Sequence, residues 1–426
     1  MLRNLLVLAA LGGAFASAAY AVGHDALVPS ANAQPDAKDI GGKFRLIRLA
    51  VPAGDDVGEI LRRDARLSGG FEVLDRKGMP AALIKEKGFN KDGWIQVGAD
   101  AVIKNATVGG QIRFLLYDLG QGSRPVLSKG YPAGDPRKAA HKFMNDVIAH
   151  YTGVPGVFGS RIAFVRTRRN PTVTKNVYTA EMDGGNVASI TNNRSLNILP
   201  SIGPGGEVLF TSYAKRNPDL WMAAGGAPRR ISKYPGLNLG GVMSPNGGSI
   251  ALTLSKDGNS EIYLIDRGGN IQRRLTKNPA IDGSPTWNPG GSRIAFVSNR
   301  AGTPQIYVMS SSGGGAKRLT RKGNYNQTPD WNPGNKKDRD LANWVAYAGR
   351  DNANRFDVFA VHVGTNKLVR LTQGGGRNED PTYSPDGRLI AYSSSRGGIF
   401  VATKDGNNAI QVIRAGTTPD WGPRAY

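Results

Sequence analysis

Cysteine is absent from all 426 residues. That excludes disulfides, thiolate metal sites and cysteine nucleophiles, so an exported form of this chain is held together by packing alone. Histidine is scarce: His24, His141, His150 and His362 are the whole supply. His141 and His150 sit too far apart on an expected helix to form an i, i+4 metal pair. There is no Gly-x-Ser-x-Gly elbow and no phosphate-loop pattern, and no apolar run approaches the ~20 residues of a membrane-spanning helix. Asp-Gly turns such as Asp257-Gly258 and Asp405-Gly406 bring too few oxygens together to prefer a Ca²⁺ site over an ordinary turn. The chain is therefore expected not to be an enzyme, and to hold no cofactor and no metal. Acidic residues are also few, Asp+Glu 33 against Lys+Arg 55, a formal net charge of +22. The excess is uneven: residues 34–158 carry 19 basic and 14 acidic side chains, residues 159–426 carry 35 and 18. A field of that sign attracts acidic protein surfaces, anionic cell-wall polymers or lipid headgroups.

Glycine and proline, by contrast, are plentiful at 57 and 25 residues, which suits many turns between short strands. One strand-turn phrase recurs. Its opening apolar pairs are Ile162-Ala163, Val208-Leu209, Ile250-Ala251, Ile294-Ala295, Val345-Ala346 and Ile390-Ala391, at intervals of 46, 42, 44, 51 and 45 residues. That period, with strand-like content in each unit, marks β-propeller blades. In the fourth unit the strands are expected at Ser284–Trp287, Arg293–Ser298, Ile306–Met309 and Lys317–Thr320. Third strands carry an aromatic at Tyr178, Trp221, Tyr263, Tyr307, Phe359 and Phe400, expected to fill the wedges between blades. First strands carry Pro200, Pro285, Pro329, Pro381 and Pro419. Proline is tolerated only where its missing N–H faces no ladder partner, which places these strands beside the central channel. Thr418–Pro423 is a first strand with no second strand after it, whereas the unit opening at Gly159–Ile162 lacks a first strand. Joining them completes one blade and leaves no open edge.

The start of the chain reads as an export signal, with Arg3 followed by the apolar run Leu5–Leu11 and small residues offering cleavage between about residues 18 and 33. Residues 34–152 follow a different plan. Gly58–Leu67 and Pro136–Tyr151 read as helices, Gln111–Asp118 as a strand, and Trp94–Val97 and Ala101–Ile103 as strands or their beginnings. This is a small α/β domain, with Tyr151–Gly156 as the expected linker. The fold class is thus α+β with two domains: a small α/β N-terminal domain, then a six-bladed β-propeller over residues 159–426 closed by a C-terminal strand.

Several segments together make a family resemblance. Gly98-Ala99-Asp100-Ala101-Val102, the strand Arg113–Asp118, Arg137–Lys142, Arg161–Val165, Ser298-Asn299-Arg300 and Arg318-Leu319-Thr320 resemble the TolB family, periplasmic propeller proteins of the bacterial Tol–Pal system. The likeness covers essentially all of the chain after the signal. It implies a periplasmic scaffold that binds the peptidoglycan-associated lipoprotein Pal through the propeller and TolA through the mature N-terminal segment, here about Gln34–Lys43. It also implies a role in outer-membrane integrity and in constriction at cell division. The family's Pro-Asp-Gly turn survives only at Pro385-Asp386-Gly387, and the fifth blade has a charged insertion, Asn335–Asp340. An alternative reading is a propeller that binds or cleaves an anionic cell-wall glycan. Neither reading involves nucleic acid or a membrane-spanning segment, and both suit a monomer.

A cation recurs just after each second strand: Arg168, Lys215, Lys256, Arg300, Arg350 and Arg396. The shared register brings these loops to one face, the same face as the connections into the innermost strands. Asp330, Asp380 and Asp420 lie at the start of those strands. The expectation is a charged ring around the channel mouth that receives an acidic partner, weighed against purely local ion pairing of each cation.

Overall fold

The computed structural model of the protein describes residues 46–351 and 353–424. The expected export signal and the segment Gln34–Lys43 lie outside them. Among the described residues, no helix is long and apolar enough to cross a membrane. The chain divides into two compact units, one ending at Gly159 and the other beginning at Ser160.

The first unit is built on a five-stranded sheet in the order Phe71–Val73, Ile47–Ala50, Ala101–Val108, Gln111–Asp118, Leu127–Pro132. The first three strands pair in parallel and the rest antiparallel. The helix Asp56–Ser68 is capped by the Asp55 carboxylate, which accepts from the Gly58 amide at 2.8 Å. The helix Pro136–Thr152 opens on a proline at its first turn, where a missing N–H costs nothing. Trp94–Val97 is not a strand: residues Lys91–Gln96 form a short helix. Asn90 caps it through the Gly93 amide at 3.0 Å, and the fully buried Trp94 donates Nε1 to Glu86 Oε1 at 2.8 Å. Local capping overrides the β preference of the Trp-Ile pair. The expected linker is likewise tied down at its far end. Phe158 is buried, its amide donating to Asn145 Oδ1 and its carbonyl accepting from Asn145 Nδ2, both at 3.0 Å. His141, also buried, bonds Asp64 at 2.7 Å within this unit.

The second unit is a ring of six four-stranded antiparallel sheets. The fourth blade runs Asp282–Trp287, Arg293–Ser298, Gln305–Ser310, Lys317–Arg318, outward in chain order. Five blades follow this plan. The first blade instead takes the C-terminal strand Thr417–Arg424 as its innermost member, beside Ser160–Arg168, Thr174–Glu181 and Ala188–Ser189. Trp421 there opposes Ile162 and Asp420 opposes Ala163. The tail closes the ring as the repeat arithmetic requires.

Blades adhere face to face through clusters shared between neighbours. Ile262 and Leu275 of the third blade pack with Trp287, Phe296 and Tyr307 of the fourth, and Ile306 and Leu319 of the fourth with Trp331, Tyr347 and Phe359 of the fifth. Except for Tyr263, which opposes Leu252, the third-strand aromatics also face a second-strand aromatic within their own blade, as Phe164 opposes Tyr178, Tyr347 opposes Phe359 and Tyr392 opposes Phe400. The recurring Arg-Leu-Thr is structural. Leu buries between blades, and the Thr hydroxyl accepts a backbone amide of the third strand, Thr276 from Ile262, Thr320 from Ile306 and Thr372 from Val358, each at 2.9 Å. Thr320 and Asn326, the latter from the next blade, both donate to Gln305 Oε1 at 2.8 Å. The fifth-blade insertion lies in the loop between its first two strands, where Asp340 bonds His362 at 3.0 Å.

Candidate partner-binding face and central channel

Each innermost strand bends at one residue with left-handed φ: Leu199, Gly240, Ser284, Thr328, Asp380 and Thr418, with values from 47° to 58°. In five blades proline follows, and the strand register slips by a bulge at that place in all six. The proline falls inside the bulge, where the ladder asks for no N–H. The bulges turn these residues toward the axis, where they line a cavity of about 130 Å³.

Just past each proline a polar side chain reaches across to the next blade. Thr286 Oγ1 accepts from the Trp331 amide at 3.3 Å, Asp330 Oδ2 from Tyr383 at 2.7 Å, Thr382 Oγ1 from Trp421 at 3.0 Å, and Asp420 Oδ2 from Ile202 at 2.6 Å. Ser201 Oγ donates to the Gly241 carbonyl at 2.6 Å. Where Val242 supplies no hydroxyl, Trp287 Nε1 donates to its carbonyl at 3.1 Å. Every junction between consecutive blades is thereby bridged around the channel. Asp330 and Asp420 therefore belong to the wall that holds the ring together, rather than to its rim. Asp380 is out of step with them: it occupies the left-handed position before Pro381 and accepts from Ser393 Oγ at 3.2 Å. All three carboxyls touch the lumen yet have lost bulk water, and this desolvation pushes them up to about 7. Lys175 is held below the usual lysine range, by burial first and by Arg169, with Asp380 opposing the shift.

Two sets of loops share the face at which second strands end and innermost strands begin. Together they carry thirteen Lys and Arg against two Asp, and each of the twelve loops supplies at least one cation. The loops on the opposite face carry seven of each sign. The propeller's loop charge is thus concentrated on one side. Both acids on the basic face are engaged: Asp257 with Lys256 and Arg274, Asp351 with Arg355 and Arg370.

The six sequence-predicted cations divide. Arg168 and Lys215, the last residues of their strands, are exposed and make no ion pair among the described residues. The other four lie over aromatic rings: Lys256 over Tyr263, Arg300 over Tyr307 at 4.9 Å, Arg350 over Tyr325 at 5.2 Å and Arg396 over Phe400 at 4.3 Å. Arg300 also grips the fully buried Asp282 at 2.8 Å, so it serves the fold as well as the face. Among the described residues Arg350 and Arg396 have neutral partners alone, Asn324 for the first and Ser394 with Tyr392 for the second. Sequence reasoning missed the cations that follow the Leu-Thr pairs, such as Lys277, Arg321 and Lys322. Their signal was the Thr that pins the loop, which Lys277 and Arg321 follow directly.

Comparison with known proteins places both units. The family model described as the TolB beta propeller domain matches residues 149–425, and that of the TolB amino-terminal domain matches residues 48–124. The chain is 37% identical over 248 residues to the Tol-Pal system protein TolB of Anaeromyxobacter sp. strain K, covering 53% of this chain and 56% of that protein. It is 38% identical over 209 residues to the protein of the same name from Desulfosudis oleivorans, covering 47% of this chain and 46% of that one. The match thus spans about half the length of these curated relatives. The crystal structure of TolB from Acinetobacter baumannii superposes with a TM-score of 0.77 at 25% identity, over 92% of this chain and 98% of that one.

Proposed function

The chain belongs to the TolB family, and from that premise we propose that it is a periplasmic scaffold of the Tol–Pal envelope system. In this reading residues 1–33 are removed on export. The propeller binds the lipoprotein Pal, and the mature N-terminal segment around Gln34–Lys43 engages TolA. Coupling the two supports outer-membrane integrity and constriction at division. The observation that carries the Pal assignment is the one-sided charge of the propeller: thirteen cations against two acids on one face, with Arg350 and Arg396 held on aromatic rings. Side chains immobilised before contact lose less entropy when a partner arrives, so an acidic protein surface gains most there.

Cross-linking in intact cells from a photoreactive residue placed at Arg396, followed by identification of the adduct, tests the reading. Pal is the expected product, and its absence from the adducts would overturn the assignment. The same basic face also favours a second reading, direct binding or cleavage of an anionic wall glycan. That reading predicts retention on purified, protein-free wall polymer, which the scaffold reading does not. The TolA contact is tested separately by deleting Gln34–Lys43, which should abolish TolA binding while the propeller stays folded.

A further inference from the structure

We propose that the loop cations left free on the basic face form a docking surface for an anionic lipid bilayer. Beside ion-paired Arg355 and Arg377, two groups of cations stand out on this face. Lys256, Arg300, Arg350 and Arg396 lie over aromatic rings of the propeller. Arg169, Arg194, Arg216, Lys277, Lys322 and Arg414 are exposed and have no acidic partner among the described residues. This second group comes from loops spread around the ring. A folded protein partner covers one contiguous patch, roughly 800 Å² a side, and concentrates its binding energy near the patch centre. Cations distributed around the whole circumference add little to such a contact. A planar sheet of phosphates meets all of them at once, within a Debye length of about 8 Å.

Two more features agree. Val173 shares its loop with Arg169 and is 56% exposed, an aliphatic side chain set among cations as surface-binding segments require. The opposite face, with its equal numbers of cations and acids, offers no comparable field. This inference is independent of which protein the ring-held cations receive.

The experiment is sedimentation of the full mature protein with vesicles of phosphatidylcholine alone or mixed with phosphatidylglycerol, at low and high salt. Binding is expected only to the mixed vesicles and is expected to fall as salt rises. The quadruple variant Arg194→Glu, Lys277→Glu, Lys322→Glu, Arg414→Glu should bind at least several hundredfold more weakly, since each cation near such a surface is worth about fivefold. A control set on the other face, Lys336→Glu, Lys337→Glu, Lys367→Glu, Lys404→Glu, should bind as the wild type does. If the reversed variant unfolds, the same four changed to Gln replace it, with a smaller expected loss. Failure of the wild type to pellet with anionic vesicles at low salt would overturn the proposal. So would equal losses in both variant sets, or retention on anionic wall polymer without retention on vesicles. A Pal titration of the same variants reads the scaffold function separately, so either reading can fail while the other stands.

Discussion

Trp421 Nε1 donates a 2.8 Å hydrogen bond to the hydroxyl of Ser160, joining residues 261 positions apart at the closure of the ring. The same tryptophan opposes Ile162 in the ladder and gives its backbone amide to Thr382 of the sixth blade at 3.0 Å. One residue therefore ties the C-terminal strand to both neighbouring sheets, and the closed ring depends on that tie holding.

Trp421→Ala removes a buried indole from a site that cannot collapse without opening two sheet edges, and should cost ~3–5 kcal/mol. Trp421→Phe keeps most of the packing, loses the bond to Ser160 and should cost ~1 kcal/mol. Urea denaturation measures both. An alanine variant within ~1 kcal/mol of wild type would mean that the tail does not carry the closure.

Stability should depend on pH through the channel carboxyls. Burial lifts Asp330, Asp380 and Asp420 from 3.8 to about 7. Between those values the folded protein holds protons that the unfolded chain has released, so these groups favour folding fully below about pH 4 and progressively less as pH rises to 7. Asp330→Asn keeps an oxygen for the Tyr383 amide but does not titrate. Its urea midpoint should therefore gain on wild type as pH rises from about 4 to 7. Parallel curves for the two proteins would show that Asp330 is ionised throughout this range.

Gly406 has a φ of 81°, and a Cβ there would stand 1.9 Å from the Leu371 carbonyl oxygen of the neighbouring blade. Gly184 and Gly269 meet Val412 and Ile231 in the same way. These turns between third and fourth strands are spacers that set how closely blades approach. Gly406→Ala should destabilise by ~2 kcal/mol or more, from strain and the forced shift together. A melting temperature equal to wild type would contradict the close approach.

Much of this architecture was legible because a propeller repeats its solution. The period, the four strands per blade, the latch and the prolines at the channel each followed from a pattern seen several times over. The helix at Lys91–Gln96 occurs once, and its deciding contacts, Asn90 to the Gly93 amide and Trp94 to Glu86, outweigh what the Trp-Ile pair suggests. The candidate site was legible as a face and not as individual residues. Arg300 and Asp282 are 18 positions apart with a full strand and turn between them, and only the folded loop shows the guanidinium reaching back to that buried carboxylate. The left-handed residue before each proline was equally hidden, because Leu199, Thr328 and Asp380 share no side-chain chemistry that announces it.

The Arg-Leu-Thr repeat gives a further expectation. Thr372 Oγ1 accepts from the Val358 amide at 2.9 Å and donates to the buried Asp357 at 2.7 Å. Thr372→Val preserves shape and leaves the Val358 amide unpaired, while Asp357 keeps Arg370 and Asn378, which should cost ~1–3 kcal/mol. Chemical denaturation of the folded variant reads that loss directly, and a neutral result would mean that water replaces the hydroxyl.

The account as a whole is tested most directly by calorimetric titration of the soluble domain of Pal into the wild-type protein and into Arg350→Glu/Arg396→Glu. Neither arginine has an acidic partner to strand among the described residues, so the variant should stay folded and lose only what the two ring contacts supply, ~1–2 kcal/mol together. The predicted result is saturable wild-type binding and an affinity at least about tenfold weaker in the variant, as expected for charges that meet complementary ones. Identical affinities, or no wild-type binding at all, would contradict the claim that this face receives Pal.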